Sequence, residues 1–178
     1  MMHPIETETF TRMTDGSTLV IQRWLPGPAE RVWRYLCDDT LRRKWLAAGE
    51  MQPVRGEPLE LVWRNDDLSA PNDPRPSAFA TEQRMQSRVI DVEPMRMLKI
   101  AWGRGDVTFT LEEYAGRVLL TVTHCGLENS SERGMIAPGW HMHLDILVAE
   151  ITDTQRPSFW SGWAKLKTLY ENRFDQQG

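Results

Sequence analysis

Between Gln83 and Cys125 the chain repeats a two-residue rhythm through four segments, and the links between them are only two or three residues long. The segments run over Gln83–Glu93, Met97–Gly103, Asp106–Glu113 and Arg117–Cys125, broken at Pro94, at Gly103 to Gly105 and at Ala115-Gly116. Links this short join strands only as antiparallel hairpins, because a parallel return needs about a dozen residues. The rhythm also assigns faces. Leu98, Ile100 and Trp102 fall on one side, as do Val107, Phe109 and Leu111, and likewise Val118, Leu120, Val122 and His124. A meander with one apolar face has to be covered on that face, and this need governs how the rest of the chain folds.

The cover comes from helices. "SSERGMIAPGWHMHLDILVAEI" carries Trp140, Leu144, Leu147 and Ile151 on one face, and "SFWSGWAKLKTLYENRF" carries Phe159, Trp163, Leu166 and Tyr170, with Ser158 as its expected cap. Upstream, "STLVIQRWL" reads as a strand. Pro28 then suits a first helical position, ahead of an apolar stripe of Ala29, Val32, Trp33 and Leu36. A short helix over "DDTLRRKWL" is capped by Asp38 or Asp39, with Leu41 and Trp45 buried. "EPLELVWRN" is one more strand, with Leu59, Leu61 and Trp63 on one side. The expected architecture is α+β, a curved antiparallel sheet around a long helix. Such a grip leaves a space between sheet and helix, and the eight tryptophans suit its walls.

Residues 1–16 are expected to be a flexible leader and 17–174 a single domain. The stretch 65–82, with Pro71, Pro74 and Pro76, is expected to be an exposed loop insert. Lys plus Arg is 21 against 25 for Asp plus Glu, which gives no basis for a nucleic-acid partner. No apolar run approaches the ~20 residues a membrane span needs. The polar N-terminal stretch has no secretion pattern, and Cys37 and Cys125 form no motif, so a cytoplasmic location with reduced thiols is expected.

Four stretches in order resemble the START-like (SRPBCC) superfamily, in its heat-shock-protein ATPase activator-like branch. They are "VIQRWLPGPAERVWRYLCDDTLRRKW", "VIDVEPMRMLKIAWGRGDVTFTLEEYAGRVLL", "TVTHCGL" and "GWHMHLDIL". The resemblance spans about Thr18 to Tyr170. It implies a helix-grip fold around an elongated apolar cavity. Members implied by it include carriers of hydrophobic ligands, cyclases or aromatases, and chaperone activators. The 65–82 insert departs from the compact form, as a lid over the cavity mouth or a contact to a second subunit in a homodimer.

On that basis the expected ligand wall is Trp33, Trp63, Trp102, Phe109, Leu120, Val122, His124, Trp140 and Leu144. The leading reading is a carrier, sensor or regulator for a small hydrophobic or amphipathic ligand, without a cofactor. A cyclase- or aromatase-type enzyme would use His124 as acid/base with Glu112 or Asp106 beside it. A chaperone-activator-like module would instead work through its surface with a chaperone partner. No metal site is expected: on a helix His141 and His143 point about 200° apart. His141 and Asp145 do share a face, read as the solvated side of a helix whose Trp140 and Leu144 face inward.

Overall fold

A computed structural model describes residues 10–176. The elements follow one another as β1 (Phe10–Thr14), β2 (Thr18–Pro26), α1 (Ala29–Cys37), α2 (Asp39–Arg42), β3 (Pro58–Trp63), β4 (Gln83–Glu93), β5 (Met97–Trp102), β6 (Gly105–Tyr114), β7 (Arg117–Cys125), α3 (Ser130–Thr152) and α4 (Phe159–Gln176). The strands form one seven-stranded antiparallel sheet in the order β1-β2-β7-β6-β5-β4-β3. The hairpins keep their registers as the short links require, with Ile100 opposite Val107 and Phe109 opposite Val122. The early strand β2 closes onto β7, pairing Leu19 with His124. β4 carries a register irregularity at Val89/Asp91, a feature that locally bends a strand.

Alternation orders the faces. Val107, Phe109, Leu111, Val118, Leu120, Val122 and His124 are all buried, and Ala29, Val32, Trp33 and Leu36 of α1 are buried with them. Asp38 caps α2 by accepting from the backbone N–H groups of Thr40 and Leu41. Trp45 lies just beyond α2, fully buried, with its indole N–H donating to Tyr35 O at 2.9 Å. Leu41 is only half-buried; Arg42 is the buried residue of that turn, held by the carbonyls of Leu36 and Cys37.

Three expectations change. Residues 10–14, placed in the flexible leader, form β1 and pair with β2 from Phe10↔Gln22 to Thr14↔Thr18; residues 1–9 lie outside the described residues. A five-residue edge strand is too short to announce itself by periodicity. The insert 65–82 is not a free loop. It contains a 3-10 turn at Asn65–Leu68, buries Leu68, and docks on α4. Asp73 of the insert accepts from Ser158 Oγ and from the Ser161 backbone N–H at 2.9 Å, and Ser69 Oγ accepts from Trp160 N–H at 3.1 Å. The start of α4 is therefore capped from 85 residues away, and Ser158 spends its hydroxyl on Asp73.

The third change concerns α3. Trp140, Leu144, Leu147 and Ile151 are buried as expected, but so are Ala137, Met142, His143 and Ile146. The sheet covers one side and α4 the other, with Gly162 of α4 so close to the Met142 thioether that a Cβ there would force that side chain to shift. Buried residues therefore fall on more than one side of α3, while Asp145 keeps partial exposure.

Candidate functional site

The sheet's β3–β5 half, the first half of α3 and the start of α4 splay apart and enclose a cavity of about 510 Å³. Trp63 of β3 and Trp102 of β5 form one wall, their rings 5.3 Å apart, and Trp102 continues onto Trp140 of α3 at 5.2 Å. Phe159 and Trp163 of α4 also line it. The insert delivers Phe79 between Trp160 and Trp163, 5.0 Å from each ring. Met135, Ile136 and Gly139 line the α3 side, and Leu46 and Met85 complete the apolar surface. Exposed Gln83 and Arg84 mark the mouth. Arg84 is committed there, paired with Glu82 at 2.9 Å and Glu60 at 2.7 Å, and these bonds raise its pKa.

Of the nine residues expected to line a ligand, Trp63, Trp102 and Trp140 border this cavity. Phe109 stands behind Trp140 at 5.8 Å, and Leu120, Val122 and Leu144 are sealed in the core. Trp33 is buried on α1, away from the cavity wall. Inward parity in a strand distinguishes core from solvent. It does not distinguish core from cavity, because both count as inside. Phe79, Phe159 and Trp163 were missed as wall residues. The aromatic in the proline-rich insert and the helix stripe were their only local signals.

His124 is also sealed. Its Nδ1 accepts the Trp140 indole N–H at 2.9 Å, and its ring rests 5.4 Å from Trp102. The carboxylates proposed for it are on the other face. Asp106 neighbours inward-facing Val107, and Glu112 follows inward-facing Leu111 and is exposed. Burial pushes the His124 pKa down to about 4, with the charge of Glu132 pulling it back up. This is a neutral histidine serving as a hydrogen-bond acceptor in the core.

The His141–Asp145 face is largely covered, with Asp145 keeping partial exposure. Asp145 pairs with Arg23 of β2 at 2.9 Å, and the Arg23 side chain is only 3% exposed. Arg23 also donates to the carbonyl oxygens of Gln22 and His141. His141 Nδ1 lies 2.8 Å from the Tyr170 hydroxyl, which reaches on to Thr11 of β1 at 3.0 Å. The network ties β1, β2, α3 and α4 together. Asp145→Ala would strand a buried guanidinium. Breaking a fully buried pair costs ~3–5 kcal/mol; Asp145 is 36% exposed, so about 2–3 kcal/mol is expected here. Urea denaturation checks it, and a loss below ~0.5 kcal/mol would mean water already screens the pair.

His143, the second histidine of the motif, does face the cavity. It is 6% exposed, its Nδ1 lies 2.8 Å from Trp45 O, and its ring packs on Phe159 at 4.7 Å.

A curved antiparallel sheet gripping a buried helix, with an aromatic cavity between them, defines a helix-grip domain of the START-like class. The family model described as "Activator of Hsp90 ATPase homolog 1-like protein" matches residues 26–152, and the chain belongs to that family. A protein of Bordetella parapertussis solved in solution is 31% identical, with a TM-score of 0.80 over 94% of this chain and 92% of that one. CalU16 from Micromonospora echinospora shares the fold at 17% identity and a TM-score of 0.61, covering 90% of this chain and 93% of that chain. A conserved protein of Enterococcus faecalis shares it at 17% identity and a TM-score of 0.70, covering 96% and 92%. No curated protein matches the chain. Among the described residues no helix is long and apolar enough to cross a membrane.

Proposed function

We propose that the protein binds one small hydrophobic or amphipathic molecule in this cavity, as a carrier, sensor or regulator. The observation that carries the reading is a space of about 510 Å³ left open among six aromatic rings, Trp63, Phe79, Trp102, Trp140, Phe159 and Trp163. Small-molecule sites run to about 300–1,000 Å³ with apolar walls and few polar groups, and this cavity has that size and composition. Burial of apolar ligand area, about 25 cal/mol per Å², supplies the affinity. The cyclase- or aromatase-type alternative lacks its expected acid/base, because His124 lies behind Trp140 and not at the cavity surface.

Gly139 offers a clean test. It lines the cavity, and nothing stands within 4 Å of where its Cβ would be. Gly139→Leu should narrow the space while improving helix propensity by up to ~1 kcal/mol. Calorimetry with naphthalene should show saturable binding to the wild type and an altered affinity for the variant, with the melting temperature unchanged or raised. An affinity unchanged by the substitution would place the ligand elsewhere. No binding to the wild type at tens of micromolar would remove the cavity reading. A chaperone-activator role through the surface would be untouched by this substitution.

A further inference from the structure

The cavity wall is apolar except for a few groups, and one of them has a fixed chemical sense. His143 Nδ1 faces a backbone carbonyl, which only accepts, so Nδ1 must carry the proton. In the neutral ring the lone pair then sits on Nε2. Among the described residues Nε2 bonds to no protein group, and it is not one of the sealed unpartnered atoms either. The side chain is more than nine-tenths buried and lines the cavity, so the free lone pair opens into that space. A buried acceptor left unpaired is costly, and a ligand that donates to it recovers that cost.

We propose that the ligand is a neutral aromatic molecule carrying a hydroxyl or N–H group, which donates a hydrogen bond to His143 Nε2. The proposal rests on the cavity-binding reading and gives the occupant its chemistry. Flat rings of the wall, Trp63 through Trp102 to Trp140, suit an aromatic body. A carboxylate fits poorly. It would bring charge against a lone pair, and the cavity's one arginine, Arg84, already holds two carboxylates. Burial also holds His143 neutral, its pKa down at about 4, although its bond to Trp45 works against the shift. It therefore offers no positive charge at neutral pH.

The test compares four probes of one ring system by calorimetry: naphthalene, a naphthol, the naphthol's methyl ether and the matching naphthoate. The naphthol should bind about tenfold more tightly than its ether, the increment of one well-made hydrogen bond, and the naphthoate should bind no better than the ether. On naphthol binding the His143 Nε2 nitrogen resonance should shift, while the ether leaves it in place. His143→Phe should keep ether binding and erase the tenfold preference. If that variant does not fold, the wild-type series and the nitrogen resonance decide alone. Equal binding of naphthol and ether, with no shift at Nε2, would overturn the proposal and leave the cavity reading standing. Tightest binding of the naphthoate would overturn it as well. Failure of all four probes would remove the cavity reading and this proposal together.

Discussion

Trp140→Ala is expected to destabilise the fold by about 3–5 kcal/mol, the cost of truncating a large aromatic in a close-packed interior. The ring is 3% exposed and touches both Trp102 and Phe109. It is also the sole hydrogen-bond donor to His124 Nδ1 among the described residues. Trp140→Phe separates the two contributions. It keeps an aromatic body but strands the His124 acceptor, which should cost about 1–3 kcal/mol. Urea denaturation of both variants is the measurement. A loss below ~1 kcal/mol in the alanine variant would show that the cavity side of α3 collapses to fill the gap. Equal losses in both variants would assign the whole effect to the hydrogen bond. Because Trp140 separates His124 from the cavity, the alanine variant should also expose that histidine to ligand.

Acid should weaken the protein well before its carboxylates titrate. Burial pushes His124, His141 and His143 each down to about 4 in the folded state, from the ordinary 6.5. At His141 the charge of Asp145 opposes the shift and that of Arg23 adds to it. Between pH 6.5 and about 4 the unfolded chain therefore binds protons that the folded chain refuses. Stability is then complete above pH 6.5 and falls as the pH drops through that window. Each histidine contributes a slope of up to about 1.4 kcal/mol per pH unit, so the three together approach about 4 kcal/mol per unit. By the middle of that window the loss reaches about 5 kcal/mol, enough to unfold a protein at the low end of the typical range of about 5–15 kcal/mol. Lowered carboxylates such as Asp91 and Glu82 lose their stabilising bonds only at still lower pH. Denaturant midpoints measured from pH 7 down to pH 5 read the slope directly, and His141→Gln should reduce it by about a third. A flat profile across that range would show that the three imidazoles are hydrated.

The sheet was legible because its information is local. Short links force hairpins, and alternation assigns sides, so the four strands from Gln83 to Cys125 and the apolar faces of β6 and β7 could be read directly. The stripe of α1 is equally local. β1 escaped because Phe10–Thr14 is brief and has meaning only as a partner of β2. The polar insert escaped because its order comes from α4, whose N-terminal N–H groups it caps.

By itself, then, the sequence determined an antiparallel α+β domain of the START-like class, with Trp63, Trp102 and Trp140 turned inward. Tertiary structure alone decided which inward residues border open space and which are sealed. That depends on where β3–β5, α3 and α4 fail to meet, a distance between elements that no periodicity encodes. It also decided the roles of His124, His141 and His143. His124 gives its lone pair to Trp140, and His141 joins a network around buried Arg23. His143 is left with a free nitrogen toward the cavity. A polar residue on a helix face is read as solvated until the element that covers it is known. Here that element is α4, which follows α3 in the chain and folds back over it.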